Sequence, residues 1–155
     1  MKKHSLLLAL FFSCYFGWSQ SPVYTAVLNA VHERYPEIQT EQRLIAVNFW
    51  SSSDQESREV NKALNKNYNI YKFARLKGGR HGLIAVAVNF STDPGEAVIT
   101  VRKDGAKDIL TLTGPDLALD SAPFKNAVFD SEGKQVYTNL ASGEVFNKIN
   151  QLLTR

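Results

Sequence analysis

Residues 44–59, LIAVNFWSSSDQESRE, constrain the fold more than any other stretch. From 43 to 50 the run is almost entirely apolar, the pattern of a strand covered on both faces. Three serines follow, and a helix is predicted to start at Ser53 or Asp54. Ser53 and Glu56 stand in the S-x-x-E relation of a capping box, each placed to satisfy the other's free backbone N–H. Asp54 sits well against the positive end of the helix dipole. Val60, Ala63 and Leu64 form one apolar stripe, which weakens through 65–69 and resumes with Ile70, Phe73 and Leu76. The spacing predicts one long helix with an irregular middle, stopping near Lys77 at Gly78-Gly79.

A second apolar run, LIAVAVNF at 83–90, again suits a covered strand, so the centre of the chain reads strand, helix, strand. Ahead of it, Val23, Val27, Leu28 and Val31 lie at helical spacing behind Pro22, and Pro36 ends that helix. Residues 37–42 form a polar connector. Behind the second run comes the turn Thr92-Asp93-Pro94-Gly95. Residues 96–103 are predicted as a helix from the order of elements, although Val98, Ile99, Thr100 and Val101 are β-branched and favour a strand. A short apolar segment at 109–113 and a loop to Ala122 follow. The tail predicts a strand at 123–129, a turn at 130–133, a returning strand at 134–137 and a final helix capped by Ser142. Val145, Phe146, Ile149, Leu152 and Leu153 share one face of that helix.

The N-terminus has the parts of a secretory signal: Lys2 and Lys3, an apolar run at 6–16, and Gly17-Trp18-Ser19 as the cleavage site. The run is shorter than the roughly 20 residues of a membrane span. Cleavage after Ser19 leaves 136 residues with a net charge of +1, which gives no global electrostatic basis for nucleic acid binding. Cys14 is the single cysteine and lies in the signal. The alternative reading is a lipoprotein signal with lipid on Cys14, although Tyr15-Phe16-Gly17-Trp18 is unusually apolar for such a tether. In either case residues 20–155 hold no thiol, which excludes an internal disulfide, a reactive thiolate and cysteine-ligated metal there.

The order of elements and three local patterns resemble the thioredoxin-like superfamily, in its secreted branch of alkyl hydroperoxide reductase-like and cytochrome-maturation-type proteins. Asn48-Phe49-Trp50-Ser51-Ser52 resembles the strand end before that branch's CxxC motif. Ala122-Pro123 stands where the family has its cis-proline. The run 129–136, FDSEGKQV, resembles the family's Asp-x-x-Gly hairpin. The resemblance implies an α/β thioredoxin-like fold, with a central mixed β-sheet flanked by helices and an extra N-terminal helix. Residues 1–19 are then the signal peptide, 20–42 the N-terminal helix and connector, and 43–155 the thioredoxin-like domain. In this correspondence Asp54 and Ser57 occupy the two cysteine positions, followed by the basic-acidic pair Arg58-Glu59. Neither can exchange disulfides, and no general base lies nearby in sequence to activate the Ser57 hydroxyl.

The expected role is therefore a non-catalytic binding module of a bacterial periplasm or cell envelope. Its protein or peptide partner is expected in a groove formed by Trp50, Ser53, Asp54, Ser57, Ala122 and Pro123. The alternative is a thiol-disulfide oxidoreductase or peroxidase relative that acts in envelope redox homeostasis with a partner's cysteines. Each residue also has a plainer reading: Asp54 and Ser57 as helix caps, Trp50 as a partly buried aromatic, Pro123 as a structural proline. The run 77–82, KGGRHG, is either an anion-holding loop or a solvated helix stop. His32 and His81 read as surface histidines, and no metal or cofactor is implied.

Overall fold

A computed structural model describes residues 20–91 and 93–153. The expected signal sequence and Cys14 lie outside them. Two seven-residue strands, β1 (Leu44–Trp50) and β2 (Leu83–Asn89), form the parallel centre of a five-stranded mixed sheet and are buried along their whole length. β3 (Leu110–Thr113) continues the parallel side, while β4 (Asn126–Phe129) and β5 (Gln135–Thr138) add antiparallel strands beyond β1. The order across the sheet is β3-β2-β1-β4-β5.

The crossovers α2 (Gln55–Tyr71) and α3 (Pro94–Lys103) step the same way across the sheet, so right-handed connection puts both on one face. There Val60, Leu64, Ala97 and Val101 join Val145 and Ile149 of α4 (Ser142–Asn150) over Leu44, Ala46 and Trp50. Alternation along β1 turns Ile45, Val47 and Phe49 to the other face. They pack there beside Leu112 of β3 and Phe129 of β4, and Tyr24, Val27 and Val31 of the N-terminal helix α1 (Pro22–Arg34) join the same cluster with Leu117.

The helix expected at 96–103 forms despite its β-branched run. Asp93 Oδ1 accepts the N–H groups of Gly95 at 2.8 Å and Glu96 at 3.3 Å, and Pro94 fills the first turn. Three expectations need correction. α2 ends at Tyr71 rather than near Lys77, and the resumed stripe is only partly core: Ile70 is 51% and Phe73 87% exposed, whereas Leu76 is buried on the segment beyond the helix. Beyond it the chain closes a tight Leu76–Gly79 bridge and passes α2 again at Gly82, where φ is +93°. A Cβ on Gly82 would stand 2.1 Å from the Lys72 carbonyl oxygen, so only glycine fits that approach. β4 begins at Asn126, not Pro123, and β5 runs one residue later than expected. In α4, Ala141 rather than Ser142 is the cap residue, and its N–H donates to Glu144 Oε2 at 3.0 Å.

Candidate functional site at the carboxyl end of β1

The turn after β1 delivers the chain into α2 through Asp54, whose Oδ1 accepts the N–H groups of Glu56 at 3.1 Å and Ser57 at 3.4 Å. Ser57 is buried, and its Oγ donates back to the Asp54 carbonyl at 2.9 Å. The predicted Ser53–Glu56 capping box is absent. Ser53 Oγ pairs with Ser51 Oγ at 3.2 Å, and Glu56 reaches across to α4. Its carboxylate accepts the Ser142 N–H at 2.7 Å and the Ser142 hydroxyl at 3.2 Å. The carboxylate thus sits at the first turn of α4, where the free N–H groups and the helix dipole favour negative charge.

Behind this junction lies a buried set of asparagines that sequence reasoning missed. Asn48 Nδ2 donates to the Ser57 carbonyl at 2.7 Å and to Asn61 Oδ1 at 2.8 Å. Its register partner on β4 is Asn126, whose amide brackets Leu140: Nδ2 donates to the carbonyl at 2.8 Å, and Oδ1 accepts the N–H at 2.9 Å. Asn89 on β2 accepts the Ser91 N–H at 2.8 Å. The available signal was an asparagine inside one apolar strand, Asn48 in β1, and at the ends of two others, Asn89 closing β2 and Asn126 opening β4. A buried amide needs named partners, and here those partners fix how α2 and the segment leading to α4 leave the sheet.

Asp54, Glu56 and Ser57 line a small cavity of about 70 Å³ with Asn48, Lys125 and Asn126. The predicted groove is only partly assembled. Asp54 and Ser57 meet, whereas Ala122 and Pro123 are exposed and do not line this cavity. No peptide bond among the described residues is cis, Pro123 included. Trp50 is 3% exposed and packs in the core under α2 and α3, so it is not an open apolar wall. Among the described residues its Nε1 and Asn48 Oδ1 have no hydrogen-bond partner.

Arg58, next in the chain, clamps α2 to the end of α3. Its Nε and Nη2 donate to Asp104 Oδ2 at 2.8 Å and Oδ1 at 2.6 Å, a two-pronged arrangement. The hydrogen bond and charge of Arg58 hold the Asp104 carboxyl below its ordinary range, and Asp104 raises Arg58 in return. Glu59 pairs with Lys62 instead, at 2.7 Å. His32 is exposed but not alone, since Nε2 lies 2.7 Å from Thr40 Oγ1. No group of three or more metal-ligating side chains occurs among the described residues.

No family model and no curated protein sequence matches the chain. Solved structures do match its fold. The thioredoxin domain of a thiol-disulfide oxidoreductase from Bacteroides vulgatus is 16% identical, covering 74% of this chain and 82% of that one, at a TM-score of 0.58. A thiol:disulfide interchange protein from a Bacteroides species is also 16% identical, covering 74% and 75%, at 0.56. A secreted disulfide oxidoreductase of Mycobacterium tuberculosis is 14% identical, covering 73% and 84%, at 0.55. The chain has the thioredoxin-like fold. No helix among the described residues is long and apolar enough to cross a membrane.

Proposed function

We propose that the protein is an exported, redox-inactive thioredoxin-like module that binds a protein or peptide partner in the bacterial cell envelope. The observation that carries this reading is the use made of Asp54 and Ser57. Both are engaged in starting α2, through the Asp54 cap and the Ser57 hydroxyl bond to the Asp54 carbonyl. A carboxylate and an alcohol in those roles have no two-electron redox cycle, and the sequence holds no cysteine after Cys14. Export is supported by the signal-like leader and by the secreted structural neighbour. The partner would meet the exposed surface at Ser53 and Asp54, above the buried hydrogen bonds of Asn48 and Ser57.

The test pairs a measurement on the purified protein with one in intact cells. Insulin reduction with dithiothreitol should proceed at the uncatalysed rate. A photo-crosslinking residue at Ser53 should capture an envelope protein in intact cells, and the same residue at exposed Lys103 should not. Catalysed insulin reduction would overturn the reading in favour of an oxidoreductase working with a partner's cysteines. Equal capture from both positions would remove the surface at Ser53 and Asp54 as the binding site.

A further inference from the structure

The opposite end of the sheet carries a different surface. Between Glu59 and Asp93 the chain has no acidic residue and six lysines and arginines: Lys62, Lys66, Lys72, Arg75, Lys77 and Arg80. The fold gathers the last four of them, with Arg43 and His81, around two adjoining concavities that share Gln42 and His81. Glu41 and Glu132 are the acids that line them. Phe73 stands on this surface 87% exposed, with Ile70 three residues earlier 51% exposed. Lys72 Nζ lies 5.7 Å from the Phe73 ring. A bare phenyl ring on a largely basic surface is costly in water and suited to a boundary that is apolar below and anionic above.

The path of the chain supports the same orientation. Its described part begins at Gln20 and Ser21, beside the Ser131–Gly133 turn, where the Ser21 N–H donates to the Gly133 carbonyl. That turn is in turn tied to the basic loop, the Ser131 N–H donating to the Gly78 carbonyl at 2.7 Å. Gln20, the first described residue, therefore lies at the basic end of the fold. If Cys14 carries lipid, the six residues to Gln20 span at most about 20 Å, which would hold this end against the bilayer.

We infer that the end bearing Lys72, Phe73, Lys77 and Arg80 docks peripherally on an anionic phospholipid surface, leaving the surface at Asp54 facing away from it. Phe73 would insert at headgroup depth while the cations pair with lipid phosphates. The test uses the exported Cys14→Ser protein, so that no lipid anchor contributes, and sedimentation with vesicles. Binding is expected to phosphatidylglycerol-containing vesicles, not to pure phosphatidylcholine, and to be released by high salt. Phe73→Ala and the double variant Lys77→Glu/Arg80→Glu should each weaken it by about tenfold or more, with unchanged melting temperatures. Equal binding to neutral vesicles, or none to anionic ones, would overturn the inference. So would full-strength binding by Phe73→Ala together with displacement by inorganic phosphate, the result expected of a soluble-anion site.

Discussion

The two ends of the sheet spend their polar groups in opposite ways. At the carboxyl end, Asn48, Asn126 and Ser57 are buried and bind backbone or another side chain, while Glu56 at the surface ties α2 to α4. At the amino end, Lys77 and Arg80 stand exposed on glycine-rich loops beside an uncovered phenylalanine. The first arrangement contributes to stability because its buried amides hold partners across elements, with Asn48 Oδ1 and Trp50 Nε1 as unpartnered exceptions among the described residues. The second contributes little to stability, so its composition is free to serve contact with something else. Substitutions at the two ends should therefore differ in what they change.

The largest effect is expected at Asn126. Asn126→Ala removes both hydrogen bonds to Leu140 and leaves a buried N–H and a buried carbonyl without partners, a cost of about 2–4 kcal/mol. Urea denaturation would measure it. Lys77→Ala at the other end should fall within about 0.5 kcal/mol of the parent. If the two substitutions cost the same, the contrast between a structural end and a contact end is lost.

Next comes Asp54. Asp54→Ala should cost about 0.5–2 kcal/mol, and Asp54→Asn almost nothing, because either side chain caps a helix. The same pair sharpens the functional reading. If Asp54→Asn keeps its stability yet loses crosslinking from Ser53, the carboxylate itself meets the partner and is more than a cap.

Much of this was legible in the chain, and the exceptions have physical reasons. The central strands and the order of elements follow from dense apolar runs that only a covered sheet accommodates. The overlong α2 came from Ile70 and Phe73, which fit helical periodicity although nothing covers them, and periodicity alone carries no information on burial. The Ser53–Glu56 pairing failed because Glu56 found a better-placed N–H at Ser142, 86 residues on. Asn126 was passed over for a related reason, since its partner lies 14 residues away across the hairpin. Local rules name the donors and acceptors, and the fold decides which of them meet. The same holds for the proposed groove, where Ala122 and Pro123 match a family pattern but lie outside the cavity at Asp54 and Ser57.

The smallest effect is a pH dependence, and it tests whether the α2 start is braced from outside as well as from within. Arg58 holds the Asp104 carboxyl below its ordinary value, so the folded state binds that proton less readily than the unfolded chain. The pair's contribution to stability is therefore complete above the unfolded carboxyl value of about 3.9, and it is lost as pH falls through the lowered folded value. Arg58→Ala should lower the melting temperature by a constant amount from neutral pH down to about pH 5, and the difference should shrink as Asp104 is protonated. Acid sensitivity should not vanish in the variant. Asp108, lowered chiefly by its hydrogen bond from Asn69 at 2.8 Å, titrates in the same direction and does not depend on Arg58. The Arg58 side chain is 35% exposed, so solvent screens the pair and its effect should rank below those of Asn126 and Asp54. An Arg58→Ala difference that persists undiminished at pH 2 would mean that Arg58 acts by packing its stem between α2 and α3. The brace on α2 would then be apolar, and the charge on Asp104 incidental to it.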